Sequence, residues 1–174
     1  MNAPTPDTAD LRDGEPIHDA LLALLPLVGH WRGEGVGVRP SDSGRFRYGQ
    51  RASFVHDGRP FLAYESRTWL LDDAGVVLRQ AWRESGFWRA GAGADDVEVV
   101  LASNTGESLV FAGVAGDQRW DLATTSAVAS RTAKPVDGEK RLYAVRDEEL
   151  IYVTELALPG RPFTLHLQAS LTRD

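Results

Sequence analysis

Four histidines, no cysteine and scattered carboxylates limit the chemistry open to this 174-residue chain. Without thiols there is no cysteine nucleophile, no Cys-ligated zinc, no iron–sulfur cluster and no covalent haem attachment through CxxCH. Imidazole is then the natural group for acid–base work or metal ligation. His18 reads as solvated, His56 as a surface or turn-packing residue beside Asp57-Gly58, and His30 as a ring at the rim next to Trp31. No pair has the HxH or HExxH spacing of a zinc site. His166 differs. Along Phe163–Leu171 the odd positions are Phe163, Leu165, Leu167, Ala169 and Leu171, and the even ones are Thr164, His166, Gln168 and Ser170. This alternation sets His166 on the polar face of a strand. The plain reading is an exposed histidine on a wet face. The sharper one has that face line a cavity, with imidazole as a metal or haem ligand. Alternation does not say which face looks inward.

Other chemistries lack their residues. No GxSxG elbow is present to raise a serine nucleophile. Glu65, Glu84 and Glu155 lie on strands, but nothing in the sequence pairs them as a glycosidase needs, so they read as surface or hydrogen-bonded strand acids. The glycine-rich run Gly29–Gly37 lacks the Lys-Ser/Thr of a phosphate loop, and strand rather than helix follows it.

The elements that position these residues are mostly strands. The length suits one domain, and 43% apolar residues are enough for a core. A net charge of −6 argues against nucleic acid and an anionic membrane surface as partners. The longest apolar stretch, Ala20 to Gly29, is about half a membrane span and contains Pro26. Residues 1–16 hold three prolines and four acidic groups with neither a basic n-region nor an apolar h-region; they read as a mobile tail, not a signal peptide. The folded domain is expected over 17–174, in the cytoplasm. Asp19 can cap a short helix with Leu21, Leu22, Leu24 and Leu25 on its apolar face. Beyond it, Phe46, Tyr48, Ala52 and Phe54 alternate with Arg45, Arg47 and Arg51, and turn signals such as Asp57-Gly58, Asp72-Asp73-Ala74-Gly75 and Asn104-Thr105-Gly106 recur. About ten strands at spacings of ~10–14 residues, with no second helix, predict an all-β antiparallel up-and-down barrel closed by the N-terminal helix. A two-sheet sandwich is the rival architecture. Such a barrel has room for a small ligand.

Three stretches in register resemble the nitrobindin family of haem-binding β-barrels, also called peroxynitrite isomerases. The first is GxWxGxG, met by Gly29, Trp31, Gly33 and Gly35. The second runs from Phe46-Arg47-Tyr48 through Phe54-Val55-His56-Asp57-Gly58-Arg59-Pro60, with Tyr64, Thr68 and Glu84-Ser85-Gly86-Phe87 beyond. The third is His166-Leu167-Gln168-Ala169-Ser170-Leu171. Together they cover about residues 25–174.

The resemblance implies a ten-stranded barrel holding one haem b per subunit, with His166 as axial ligand and hence the metal-binding and catalytic residue. It places Lys134, in Thr132-Ala133-Lys134, beside a haem propionate. The implied activity is isomerisation of peroxynitrite to nitrate at ferric iron, with nitric oxide as a further ligand and a homodimer as the assembly. The chain departs from the family at His30, where threonine is common, and at Gln50, where glutamate is usual. His30 raises the prospect of a second histidine near the pocket. Candidate wall residues are Trp31, Phe46, Phe54, Phe61, Trp69, Phe87 and Leu167. Two rival functions remain: a non-haem barrel carrying a fatty acid or other small apolar molecule, and a haem or nitric-oxide sensor acting through a partner.

Overall fold

The computed structural model describes residues 5–174. Ten strands follow one helical segment: β1 (Gly29–Val38), β2 (Arg45–Val55), β3 (Leu62–Leu71), β4 (Val77–Ala90), β5 (Asp96–Ser103), β6 (Glu107–Gly116), β7 (Arg119–Ala129), β8 (Gly138–Arg146), β9 (Glu149–Ala157) and β10 (Thr164–Arg173). Each strand pairs antiparallel with its chain neighbours, and β1 pairs with both β2 and β10, closing the barrel and excluding the sandwich. Closure removes every sheet edge. Turn chemistry sets the corners: Gly75 (φ 83°) and Gly106 (φ 95°) occupy the left-handed region in the predicted turns.

The topology gives the barrel two unlike ends. The β2–β3, β4–β5, β6–β7 and β8–β9 turns lie at one end, which the segment Asp19–Leu27 plugs. This segment is the expected short helix, and it is of the 3-10 kind. Leu21, Leu24 and Leu27 recur every third residue, matching three residues per turn, and all three are buried while Leu22 is exposed. His18 caps it in place of Asp19, its Nδ1 accepting the Ala20 N–H at 3.1 Å. Two indoles hold the plug: Trp31 Nε1–H donates to Leu27 O (2.8 Å) and Trp120 Nε1–H to Ala23 O (3.0 Å). Both carbonyls would otherwise lack an intrahelical partner. Among the described residues no helix is long and apolar enough to cross a membrane.

The N-terminal tail expected over 1–16 falls partly on residues 1–4, which lie outside the described residues. Of the remainder, Thr8 exchanges two backbone hydrogen bonds with His56 (2.8 and 2.9 Å). His56 is therefore not a surface residue: it is 1% exposed, and neither ring nitrogen has a hydrogen-bond partner.

The GxWxGxG stretch has a packing role. Residues 29, 31, 33, 35 and 37 share the inner face of β1, and Trp31 fills the plugged end. At Gly35 a Cβ would come within 2.5 Å of both Gln168 O and the Tyr48 ring, and at Gly37 within 2.1 Å of the Phe46 ring. Side-chainless positions thus let β10 approach closely and let Phe46 and Tyr48 lie across the lumen face of β1. Gly35→Ala is expected to lower stability by ~1–3 kcal/mol through overpacking. Urea unfolding would show this as a lower midpoint at unchanged slope.

Candidate functional site

Strand β10 departs from simple alternation at one residue. Leu165 pairs with Glu155 and Leu167 with Thr154, which leaves His166 between them as a β-bulge without a partner on β9. A bulge inserts one residue and reverses facing beyond it. Leu167, Ala169 and Leu171 are accordingly buried, Gln168 and Ser170 are exposed, and Leu165 turns out to 42% exposure. The even face is the wet face over most of the strand, yet His166 leaves it and lines the cavity.

The ring is oriented by β1. His166 Nδ1 lies 2.9 Å from Val38 O at the end of β1. A carbonyl only accepts, so Nδ1 carries the proton and the Nε2 lone pair remains free for ligation. Burial lowers the imidazole pKa below its ordinary value; the Val38 bond opposes this and the Arg141 charge reinforces it. A neutral imidazole with a fixed tautomer is the form a metal requires.

The cavity has a volume of about 640 Å³ and lies towards the end opposite the plug. Its walls include Phe46, Tyr48, Leu70, Trp82, Leu101, Leu109, Leu156 and Leu167, while Arg39, Arg79 and Lys134 stand near the turns of the open end. Arg39 is paired with Asp42 at 3.1 Å, and Lys134 is exposed. The structure thus brings His166 and Lys134 to one cavity. It does not bring Gly29, Trp31, Gly33 or Gly35 there, nor His30, which is exposed on the outer face of β1 and supplies no second imidazole. Of the expected wall residues, Phe46 and Leu167 line the cavity. Trp31 and Phe54 are core elsewhere, Trp69 packs over Gly49, and Phe61 meets Phe87 edge to face with centroids 5.2 Å apart.

Sequence reasoning missed the charged floor. Arg141 on β8, 3% exposed, donates to Glu84 Oε1 and Oε2 (2.7 and 2.9 Å) and to Glu139 Oε1 and Oε2 (3.0 and 3.1 Å). Tyr64 Oη–H also donates to Glu84 Oε1 at 2.9 Å. Glu84, read as an unpaired strand acid, is half of a buried ion pair. Burial raises the Glu139 pKa above the ordinary 4.5; Arg141 opposes this, and the like charge of Glu84 adds to it. A second network runs from Tyr48 Oη to Tyr152 Oη (2.6 Å), from Tyr152 Oη–H to Gln50 Oε1 (2.5 Å), and from Gln50 Nε2–H to Ser66 Oγ (2.8 Å). An amide at position 50 both accepts and donates, which a carboxylate does not.

Comparison with known proteins agrees with this geometry. Residues 20–173 match the family model described as the THAP4-like, heme-binding beta-barrel domain. A protein of Salinispora arenicola named peroxynitrite isomerase is 40% identical, covering 99% of this chain and 93% of its own length. One of Streptomyces griseus with the same name is 43% identical over 98% and 92%. A ferric nitrobindin-like protein of Nocardia farcinica is 42% identical over 96% and 72%. The crystal structure of Rv2717c from M. tuberculosis superposes with a TM-score of 0.79 at 32% identity, covering 91% of this chain and 99% of that one.

The raised Glu139 pKa makes stability depend on pH. The folded chain keeps this proton to higher pH than the unfolded chain does, so stability falls as pH rises from about 4.5 through the folded value. Glu139→Gln is expected to remove that decline, measured as urea midpoints across a pH series. An equal slope in the variant would assign the proton elsewhere.

Proposed function

This chain belongs to the THAP4-like, heme-binding beta-barrel family, and on that premise we propose that it binds one haem b through His166 and isomerises peroxynitrite to nitrate. The observation that carries the reading is the bulged, half-buried His166, its Nδ1–H given to Val38 and its Nε2 lone pair free in a cavity of about 640 Å³. One protein imidazole would suit an iron whose remaining nitrogen donors come from a porphyrin. The cavity volume lies within the ~300–1,000 Å³ range of small-molecule sites. His166 would hold a ferric haem there, and the haem would supply Lewis-acid chemistry toward a small ligand.

The chain's own residues do the rest. Val38 holds the ring against rotation and fixes its tautomer, while burial keeps it neutral. Phe46, Trp82, Leu101 and Leu109 cover apolar macrocycle surface by ordinary apolar burial. Lys134 pairs with a propionate at the mouth, where a charge-assisted contact stays close to water. Arg79, which has no carboxylate partner among the described residues, adds positive charge at the rim of a chain whose net charge is −6, which favours entry of an anion such as peroxynitrite. Names of relatives 40% and 43% identical support the activity. A ferric haem held by His166 would also offer nitric oxide a metal to bind. A cytoplasmic setting accords with a chain that has no cysteine to oxidise.

Titration of the purified protein with hemin is expected to give a saturable one-to-one Soret band, lost in His166→Ala. Peroxynitrite decay should then be accelerated by the haem-loaded wild type and not by the variant. No saturable band, or the same band without His166, would overturn the assignment.

A further inference from the structure

The cavity floor treats carboxylates differently from the cavity mouth. Arg141 is the cation inside the lumen, and its guanidinium has five N–H groups. All five are used: Nε–H on Glu139, one Nη1–H each on Glu84 and Tyr143, and one Nη2–H each on Glu84 and Glu139. Its faces are covered as well, by Phe111 at 5.0 Å and Trp82 at 5.7 Å. Glu84 and Glu139 line the cavity and Arg141 does not, so a ligand at the floor meets the acids and not the cation. Both acids are at most 4% exposed, where water screens charge poorly.

We propose that Glu84 and Glu139 are specificity-determining residues: they deny Arg141 to any ligand and make the lumen refuse a carboxylate at its floor, so that a long-chain fatty acid cannot bind head-inward. A third carboxylate there would find no free donor and two like charges in a medium of low dielectric. At the mouth Arg79 and Lys134 are without a carboxylate partner among the described residues, and the acid that lines it, Glu107, accepts from the Ser103 and Thr105 hydroxyls. An amphiphile therefore enters with its acid groups outward. This uses the same cavity as the haem reading but not the iron, and it separates that reading from the fatty-acid barrel by the chemistry of the floor.

The test compares oleate with oleyl alcohol, which has a similar chain and a neutral head. Affinities of apo protein for each are measured by calorimetry, in wild type and in Glu84→Gln/Glu139→Gln. The paired change leaves Arg141 charged with amide partners, so the affinity ratio of oleate to alcohol is expected to rise about tenfold or more. Oleate should also raise the thermal midpoint of the double variant more than that of wild type. If wild type takes neither ligand, the appearance of oleate binding in the variant is the supporting result. If the double variant does not fold, Glu139→Gln alone should move the ratio in the same direction by a smaller factor. An unchanged ratio in a folded variant, or no oleate binding by it, overturns the proposal. Failure of hemin to bind wild type sinks the haem reading alone and leaves this ratio to be judged on its own.

Discussion

Strand β1 meets β10 through a run of residues that have no side chains on the lumen face, and this seam carries both halves of the His166–Val38 contact. Gly33, Gly35 and Gly37 pair with Leu171, Ala169 and Leu167. One residue further on, Val38 supplies the carbonyl and β10 supplies the bulged His166. If β1 carried ordinary side chains there, β10 would be pushed outward and the contact between Nδ1–H and Val38 O would lengthen. A motif remote from the cavity thus sets the orientation of the residue that matters within it. Side-chain volume, not polarity, is the quantity at stake.

The two ends of the barrel divide the labour. At one, the 3-10 plug and two indole hydrogen bonds cover an aromatic core in which Trp88 sits among Phe54, Tyr64 and Tyr143 at centroid distances of 5.1–6.3 Å. At the other, the turns stay apart and the lumen opens. Between them lies a polar layer: the Tyr48–Tyr152–Gln50–Ser66 chain and the Glu84–Arg141–Glu139 cluster. Buried groups of this kind cost free energy unless nearly every donor and acceptor is matched. Here they are matched to one another, so the layer is a rigid floor instead of a free binding site.

Two departures from the family pattern have physical outcomes. His30 faces solvent and leaves the ligand side of the cavity to His166 alone. Gln50 bridges Tyr152 and Ser66, so a neutral amide completes a network in which a carboxylate would add a third buried acid to Glu84 and Glu139. The interior keeps one cation against two acids, a balance consistent with the raised Glu139 pKa.

Alternation and turn chemistry made the barrel readable from the residues: period-two patterns, Asp-Gly and Asn-x-Gly corners and a single helical stretch leave few other folds. The resemblance marked His166 and Lys134, which the fold carries to one cavity. Three features were beyond local pattern. The bulge at His166 depends on how β9 and β10 align, and a strand read alone shows only regular alternation. Arg141, Glu84 and Glu139 look like wet-face residues because strand patterns equate charge with exposure; only closure of β4 against β8 across the lumen shows that they satisfy one another. His56 was hidden for a similar reason, since its burial comes from Thr8 and the N-terminal segment folding over a turn. Sequence by itself determined which stretches are strands and which residue types were present to ligate. Tertiary structure decided which faces look inward, because facing depends on register between strands far apart in the chain, and register is a property of pairs.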